Sequence, residues 1–300
     1  MQKSSFQNVL NKVTLRAFTP ITSNFWPTFA PEFIDFTTDI TNFEALMTVP
    51  RPLVIIPTYN ERENIIKIID AVFALEMPFN VLIVDDGSPD GTAQLVKNHQ
   101  AYYPDSLHII EREGKLGLGT AYIAGFRWGI ERGYDYICEM DADFSHSPSD
   151  LPRLVHACTE GRANMSVGSR YVRGGDVKNW TWDRILLSYG ASWYVRAVTW
   201  LPVADPTAGF VCYSTGVLSA IDLNKIRFIG YAFQIEMKFA AHTLGYKIAE
   251  VPIKFVDRVE GQSKMNMSIF SEAIKGVLQM RWASFFGSYR NKEVVISVKI

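Results

Sequence analysis

The sequence predicts an α/β fold in which an open, mostly parallel sheet carries helices on both faces. Between residues 50 and 143, short apolar runs alternate with helix-like segments four times. Apolar runs of this length are typical of parallel strands that are buried on both faces. The alternation favours parallel pairing, because each helix returns the chain to the starting edge of the sheet.

The first strand, residues 53–56, ends at Pro57. Residues 60–63 then supply a polar cap and an acidic first turn for a helix. The apolar side chains of this helix recur at helical spacing, at Ile65, Ile66, Ile69, Val72 and Phe73. The next strands are predicted at residues 81–84, 107–110 and 134–140, with helices at residues 92–98 and 117–130.

Beyond Asp143 the alternation is less regular. Strands are predicted at residues 167–170, 211–213 and 248–256, and helices at residues 184–200, 231–244 and 267–286. We therefore expect an N-terminal extension at residues 1–48, an α/β domain at residues 49–256, and a C-terminal loop with an amphipathic helix at residues 257–300. The first thirty residues of this extension carry Lys3, Lys12 and Arg16 with no acidic residue and are rich in Ser and Thr, as transit peptides are, but they lack a dense arginine pattern and an apolar h-region.

The composition excludes several classes of protein. With 48% hydrophobic and 20% charged residues, the chain has ample material for a buried core. A formal net charge of -1 gives no basic footprint for a nucleic acid. Three cysteines are too few for a disulfide scaffold, which makes a reducing compartment the default. The longest uncharged window, residues 206–221, is too short and too rich in Gly and Pro to be a membrane span.

Three polar segments directly follow predicted strands. They are residues 59–61, 85–86 and 141–143. Ligands of open parallel sheets bind at the carboxyl ends of the strands. The predicted topology therefore brings all three segments to one edge of the sheet, where we expect the functional site.

Asp141 and Asp143 are candidate ligands of a divalent cation. A turn at Ala142 would let both carboxylates point the same way, and carboxylates suit Mg2+ or Mn2+ bound together with substrate phosphates. The alternative is that one of the two aspartates caps the following helix. His146 is a weaker candidate, because a loop histidine is more often exposed to solvent or hydrogen-bonded than a metal ligand.

Asp85 and Asp86 begin a turn-rich segment at another strand end. Taken by itself the segment is better explained as an ordinary Asx turn, but its position at a strand end favours carboxylates that accept hydrogen bonds from ribose hydroxyls or nucleobase N–H groups. Gly114, Gly117 and Gly119 flank Lys115 without matching an ATP-binding loop or a dinucleotide fingerprint. This glycine pattern indicates a close approach of the backbone.

Basic residues concentrate in two later segments. One is interleaved with Trp180 and Trp182, and the other lies in a flexible segment able to close over a ligand. A solvated surface would explain any single residue, but together they indicate a phosphorylated substrate. These residues are Arg170, Arg173, Lys178 and Arg184 in the first segment, and Arg258 and Lys264 in the second.

Taken together, the motifs resemble those of the dolichol-phosphate (polyprenol-phosphate) mannosyltransferases, inverting enzymes of glycosyltransferase family 2. The resemblance runs from about residue 50 to residue 286 and implies a Rossmann-like GT-A fold, in the form without C-terminal transmembrane helices. The matching segments are Pro57-Thr-Tyr-Asn-Glu61, Val84-Asp-Asp-Gly-Ser-Pro-Asp-Gly-Thr92, Asp141-Ala-Asp-Phe-Ser-His146, Gly168-Ser-Arg-Tyr171, Asp205-Pro-Thr-Ala-Gly-Phe210, and Asp257-Arg258 followed by Gly261-Gln-Ser-Lys264.

The resemblance implies a role for each matching residue. Asp141 and Asp143 would hold Mg2+ or Mn2+ against the diphosphate of GDP-mannose, which Ala142 would contact through its backbone. Arg170 and Arg184 would lie near the sugar and the acceptor phosphate, and Arg258 and Lys264 on a loop that closes over the donor. The guanine nucleotide would be bound by Pro57, Tyr59, Glu61, Val84 and Asp86.

The sequence departs from the family pattern at two positions. Ser145 stands where some relatives have a glutamine that binds the metal, and Ile229 stands where relatives have a lysine. The expected reaction needs no catalytic base, because a polyprenyl phosphate is already anionic at neutral pH. Attack on the face opposite the departing GDP predicts inversion.

A lipid-linked acceptor implies contact with a membrane surface. Residues 182–200 and 267–286 combine Trp, Tyr, Phe and Leu with basic residues, as interfacial helices do. For the second segment, packing on the sheet is an equally good interpretation. We expect a peripheral protein on the cytosolic face of a membrane.

Three other functions remain open at this stage. UDP-glucose or another nucleotide sugar could be the donor, since the sequence does not display pocket geometry. A non-catalytic subunit that binds a nucleotide sugar or a lipid is a second alternative. A phosphate-binding oxidoreductase is the weakest, since the dinucleotide fingerprint is missing.

Overall fold

The structure is a computed structural model, and it describes residues 50–160, 163–256 and 267–292. Its strands are β1 (Pro52–Thr58), β2 (Asn80–Asp85), β3 (Leu107–Glu111), β4 (Tyr136–Glu139), β5 (Met165–Ser169), β6 (Asp176–Lys178), β7 (Val211–Ser214), β8 (Ile248–Pro252) and β9 (Lys254–Val256). Its helices are α1 (Ile65–Phe73), α2 (Thr92–His99), α3 (Leu118–Glu131), α4 (Leu151–Thr159), α5 (Trp182–Thr199), α6 (Thr215–Ala220), α7 (Tyr231–Thr243) and α8 (Met267–Phe286). The predicted extension at residues 1–48 lies outside the described residues.

The main sheet has seven strands in the order β3-β2-β1-β4-β7-β5-β8. All neighbouring strands are parallel except that β7 runs antiparallel to both β4 and β5. A second, two-stranded sheet joins β6 and β9 in parallel. The predicted open, mostly parallel sheet is therefore confirmed.

The core lies on both faces of the main sheet, because successive residues of a strand point to opposite faces. In β1, Leu53 and Ile55 pack in one cluster with Phe126 of α3 and Phe233 of α7. Val54 and Ile56 pack in the other cluster, together with apolar residues of α1 and α4. Every residue in the run 53–56 is fully buried, which explains why this strand shows no alternation of polar and apolar residues.

Helix α3 lies unusually close to the sheet, where two of its glycines face β1 and β4. A Cβ atom built on Gly125 would come within 2.7 Å of the Ile55 side chain, and one on Gly129 within 2.7 Å of the Ile137 side chain. Any larger residue at either position would push the helix away from the strands. The glycine-rich sequence of this helix therefore has a packing reason.

The predicted start of the first helix was wrong. Asn60 has a positive φ of 61°, and α1 begins only at Ile65. The backbone N–H groups of Asn60 and Glu61 donate to the hydroxyls of Ser88 and Thr92 at 3.0 and 3.1 Å. These contacts tie the segment to the loop after β2 and to the first residue of α2, and the Glu61 carbonyl accepts the N–H of Ile65, where α1 begins, at 2.9 Å.

Other differences arise after β4. The predicted strand at residues 248–256 is two strands, because β8 pairs with β5 and β9 pairs with β6. Helices α4 and α6 lie beyond Asp143, where the pattern of the sequence is less regular, and were not predicted.

Helix α8 packs against the core with some of its side chains and exposes other apolar side chains. Val277 and Met280 are buried in the core, whereas Leu278, Trp282 and Phe285 are more than half exposed. Within the described part of the chain, none of the helices combines the length and hydropathy that crossing a membrane requires.

Candidate functional site

The candidate site lies where the strand order reverses. The chain builds β1, β2 and β3 outward in one direction and then returns to place β4 on the other side of β1. In open α/β sheets such a switch point opens a crevice at the carboxyl ends of the two central strands. Residues 59–61, 86 and 141–143 follow strands that end at this edge, as the sequence predicted, and Asp85 is the last residue of β2.

On the β2 side, Asp85 has a structural role. Its Oδ1 accepts hydrogen bonds from the Thr58 hydroxyl at 2.8 Å and the Ser88 hydroxyl at 2.6 Å, and its Oδ2 accepts the Ser88 N–H at 2.8 Å. The side chain is buried. The interpretation as an ordinary turn therefore holds for Asp85, which joins the ends of β1 and β2.

Asp86, the next residue, makes a different contact. Its Oδ1 lies 2.9 Å from Nε of Arg112, and both side chains are about nine-tenths buried. Burial raises the pKa of the Asp86 carboxyl, while the charge of Arg112 and the Leu116 backbone N–H oppose that rise. Arg112 was missed from the sequence, although it directly follows a strand, as the recognised motifs do.

The remaining residues predicted for the nucleotide pocket are divided between surface and core. Tyr59 is 39% exposed, and the ammonium of Lys115 lies 4.6 Å from the centre of its ring. Pro57 pairs in register with Val84 across β1 and β2. Val84 is fully buried in the core, so its side chain packs against the protein. Glu61 is partly buried beside Thr92.

The paired carboxylates follow β4 directly. Asp141 and Asp143 are partly buried, and Ala142 between them is buried. Oδ1 of Asp143 accepts hydrogen bonds from the backbone N–H and the hydroxyl of Ser145, at 2.9 and 2.6 Å. Ser145 therefore orients Asp143 by hydrogen bonds to its carboxylate.

His146 is buried behind these carboxylates. Its ring stacks on Phe210 at 4.9 Å and meets the edge of Phe255 at 5.4 Å. Burial lowers its pKa to about 4, so the ring is neutral at pH 7. Its Nδ1 lies 3.9 Å from Oδ2 of Asp141 and makes no hydrogen bond within the described residues.

The donor set after β4 fits a hard divalent cation in an open site. No group of three or more His, Cys, Asp or Glu side chains with metal-binding geometry occurs among the described residues. Two carboxylates are nevertheless the usual protein contribution when Mg2+ also binds substrate phosphates. Asp141 and Asp143 would hold the cation, with Asp143 already oriented by Ser145.

Arg170, at the end of β5, is held by Asp205. Its Nε donates to Oδ2 at 2.7 Å, its Nη2 to Oδ1 at 2.6 Å, and its backbone N–H to Oδ2 at 3.0 Å. Nη2 also donates to the Thr207 hydroxyl at 2.9 Å. Asp205 is fully buried, and this bidentate pair fixes the guanidinium at the edge of the site.

The other basic residues predicted for the site differ in their surroundings. The Arg184 guanidinium lies 4.2 Å from the centre of the Trp180 ring, whose edge meets Phe255 at 5.5 Å. Arg173 and Lys178 are exposed. Arg258 and Lys264 lie outside the described residues, and their predicted roles stay predictions.

A buried polar network behind β4 was also missed. Gln234 of α7 donates through Nε2 to Glu139 at 2.7 Å, and the Lys238 ammonium donates to the carbonyls of Ala208 and Gln234 at 2.6 and 3.0 Å. Burial raises the pKa of Glu139 and lowers that of Lys238. The network links the strand that carries Asp141 to the loop that carries Asp205.

Comparison with known proteins agrees with this geometry. The model of the glycosyl transferase family 2 matches residues 53–218. A polyprenol monophosphomannose synthase of Mycolicibacterium smegmatis is 47% identical over 224 residues, 75% of this chain and 84% of that protein. An undecaprenyl-phosphate mannosyltransferase of Micrococcus luteus is 46% identical over 236 residues, 77% of this chain and 96% of that protein.

A solved structure shows the same fold at low identity. It is glucosyl-3-phosphoglycerate synthase from Mycobacterium tuberculosis in complex with Mn2+, uridine diphosphate and glucosyl-3-phosphoglycerate. The two chains superpose with a TM-score of 0.56 over 87% of this chain and 86% of the other, at 16% identity. Fold and relatives together define this protein as a glycosyltransferase with a GT-A fold. The chain belongs to glycosyl transferase family 2, as its motifs indicated.

Proposed function

We propose that this enzyme transfers mannose from GDP-mannose to a polyprenyl phosphate such as dolichyl phosphate, with Mg2+ or Mn2+ and with inversion at the anomeric carbon. The observation that carries the proposal is the switch point of the strand order, where Asp86 follows β2 and the Asp141 and Asp143 carboxylates follow β4; we infer a crevice between them. The relatives named as polyprenyl-phosphate mannosyltransferases support this choice of sugar and acceptor.

The β2 end of the crevice would take the guanine base. Guanine presents two adjacent N–H donors, and an ionised carboxylate such as Asp86 accepts two hydrogen bonds. Tyr59 and Lys115 lie on the same side of the crevice, where an exposed ring and a cation suit a nucleotide. These features support GDP as the carrier of the sugar.

The β4 end would take the diphosphate. Asp141 and Asp143 would hold the cation, and the chemistry that Mg2+ or Mn2+ supplies when bound is neutralisation of charge on the departing diphosphate. Arg258 and Lys264 are proposed to add positive charge from the following loop. Arg170 and Arg184 would position the acceptor phosphate.

The proposed reaction is a single displacement. An oxygen of the polyprenyl phosphate forms the new bond to the anomeric carbon while the bond to GDP breaks, and the electron pair leaves with GDP. The attacking oxygen carries no proton at neutral pH, so the chain needs no general base. Attack opposite the leaving group converts an α-linked donor into a β-linked product.

The lipid acceptor calls for a membrane surface, and the structure offers one candidate. We define the aromatic surface as Trp182, Leu186, Trp193 and Trp200 together with Trp282, Phe285 and Phe286, each of which is more than 60% exposed. The Arg281 guanidinium joins its two halves, at 4.5 Å from the Trp200 ring and 4.7 Å from the Phe285 ring. Exposed Trp and Phe beside a basic residue are typical of interfacial helices, which supports peripheral attachment, here proposed for the cytosolic face.

The test is transfer of labelled sugar to a polyprenyl phosphate in detergent, with GDP-mannose and UDP-glucose compared in parallel. We expect organic-extractable label from GDP-mannose only, dependent on Mg2+ or Mn2+, with a β anomeric signal in the NMR spectrum of the product. Asp143→Ala should abolish transfer, while the exposed variant Arg127→Met should keep it. Labelled lipid from UDP-glucose alone would mean that UDP-glucose, not GDP-mannose, is the donor. Labelled lipid from neither nucleotide sugar would refute the proposal.

A further inference from the structure

Arg112 is fixed beside Asp86 from several sides. Its backbone N–H donates to the carbonyl of Asp85 at 2.8 Å, and its Nη2 donates to the Thr120 hydroxyl at 2.9 Å. That hydroxyl in turn donates to the carbonyl of Gly117 at 2.7 Å. The guanidinium is therefore anchored to the first turn of α3 on one side, while Nε faces the Asp86 carboxylate on the other.

The ion pair between the two side chains leaves hydrogen-bonding capacity unused. Nε of Arg112 and Oδ1 of Asp86 are 2.9 Å apart, yet neither atom makes a well-aligned hydrogen bond to any part of the chain that the structure describes. Both atoms are buried, and buried polar atoms are rarely left without such a bond. The Asp86 carboxylate therefore keeps an acceptor position that an N–H group of a ligand would fill.

Burial also disfavours the ionised form of the Asp86 carboxyl, which is the form that accepts paired N–H donors. A neutral carboxyl keeps one proton and loses an acceptor position, so it would recognise paired N–H donors poorly. Burial raises the pKa of Asp86, and the adjacent Asp85 adds to the rise. The charges of Arg112 and Lys115 oppose it, Arg112 more strongly.

We propose that Arg112 is a positioning residue for nucleobase recognition, because it keeps Asp86 ionised and oriented to accept the paired N–H donors of guanine. The inference rests on the proposed function, in which Asp86 meets the base of GDP. Uracil offers one N–H between two carbonyl oxygens, and those oxygens would face the carboxylate unfavourably. Discrimination between GDP and UDP therefore depends on Arg112.

The experiment measures binding of GDP and of UDP to the full chain by calorimetry, with Mn2+ present throughout. Arg112→Met removes the ionic contact that orients the Asp86 carboxylate. It should weaken GDP binding by roughly 10-fold to 100-fold, and UDP binding by less than about threefold. The KM for GDP-mannose should rise in parallel while kcat changes little. Affinity of the variant for GDP should also fall as the pH is lowered from about 8 to about 6, more steeply than that of the wild type.

Two further variants separate positioning from folding. Arg112→Lys keeps a charge beside Asp86 but loses the contact with Thr120, so it should restore the wild-type pH profile with only part of the affinity. Arg127→Met removes an exposed guanidinium that donates to Asn224 at 2.7 Å and should bind GDP as the wild type does. If Arg112→Met does not fold, the inference is tested instead by the ratio of GDP affinity to UDP affinity in Arg112→Lys.

The outcomes that contradict the inference are distinct from failure of the proposed function. A folded Arg112→Met that keeps the wild-type ratio of GDP to UDP affinity would overturn it, as would an equal loss for both nucleotides. A wild-type chain that binds UDP as tightly as GDP would instead refute the proposed donor, and the role of Arg112 with it.

Discussion

Arg170 and Asp205 lie 35 residues apart in the chain and are joined by three hydrogen bonds, of 2.6 to 3.0 Å. Asp205 is itself anchored, because its backbone N–H donates to Glu250 at 3.1 Å. A buried ion pair of this kind adds little net stability but is costly to break from one side. Its main effect is therefore to hold the Arg170 guanidinium in one position at the end of β5.

Asp205→Asn should destabilise the fold and remove part of its sensitivity to acid. Burial would raise the pKa of Asp205, but the hydrogen bonds and charge of Arg170 outweigh it and lower that pKa. The stabilisation is thus present above the unfolded pKa of about 3.9 and lost as the pH falls through the lower folded value. We expect the variant to lose about 3 to 5 kcal/mol of unfolding free energy at neutral pH.

Urea denaturation between pH 7 and pH 3 measures this effect. The wild type should lose stability more steeply than Asp205→Asn as the pH falls below about 4. Asp176→Asn, at an exposed position, serves as the control and should follow the wild type. Parallel curves for wild type and Asp205→Asn would show that the ion pair does not contribute to acid sensitivity.

Ser145→Ala should weaken metal binding without abolishing it. The substitution removes the 2.6 Å hydroxyl hydrogen bond to Asp143 and leaves the backbone N–H contact in place. Loss of a partner that orients a metal ligand typically costs about 10-fold to 100-fold in metal affinity. We expect a rise of about 10-fold in the Mn2+ concentration needed for half-maximal activity, with wild-type activity recovered at saturating Mn2+.

The matched control is Ser147→Ala, in which an exposed hydroxyl that contacts Ser149 is removed. Its metal dependence should equal that of the wild type. Equal metal dependence in Ser145→Ala would mean that Ser145 does not orient a metal ligand.

The first half of the fold was predictable because its signals are local. The run 53–56 is apolar and fully buried, and β1 extends beyond it by only one residue before and two after. The start of α1 was not predictable, because Asn60 and Glu61 are fixed by the hydroxyls of Ser88 and Thr92, which lie 28 and 31 residues away in the chain. Tertiary contacts of this kind override a local capping signal.

In the candidate site, too, some residues were predictable from local sequence and others depend on tertiary structure. Asp86, Asp141 and Asp143 were recognised because each lies within four residues after the end of a strand. Pairing of Arg170 with Asp205 was not recognised, since it depends on β7 inserting antiparallel between β4 and β5. Val84 belongs to the recognised motif, yet its side chain lies in the core.

Gly125→Ala should destabilise the protein, although alanine favours helices. The new Cβ would lie 2.7 Å from the Ile55 side chain, so α3 or β1 must shift. Overpacking of a core typically costs about 1 to 3 kcal/mol. Gly190→Ala in α5 is the matched control, because a Cβ there meets nothing within 4 Å of the described structure. Alanine at that position should stabilise the fold by up to about 1 kcal/mol.

Thermal and urea unfolding of the two glycine variants give the comparison. We expect Gly125→Ala to lower the free energy of unfolding and Gly190→Ala to raise it, although both variants add the same methyl group to a helix. Destabilisation of similar size in both would mean that close packing of α3 on β1 is not what requires glycine at position 125.

Replacing Trp193 and Trp282 by glutamate should release the protein from lipid vesicles. These side chains are 71% and 68% exposed, on α5 and α8 respectively, within the aromatic surface. Burying an aromatic side chain in the interface is favourable, whereas a carboxylate there is repelled by anionic lipids. We expect cosedimentation with vesicles of phosphatidylcholine and phosphatidylglycerol to fall at least 10-fold for the double variant.

Tyr102→Glu is the control for that experiment, because Tyr102 is 75% exposed but lies after α2, outside the aromatic surface. It should bind vesicles as the wild type does. Transfer to a short-chain polyprenyl phosphate that is soluble in water should be the same in the wild type, the double variant and Tyr102→Glu. None of the three substituted residues belongs to the candidate site. Loss of transfer to the soluble acceptor in the double variant would show instead that α5 and α8 shape the site itself.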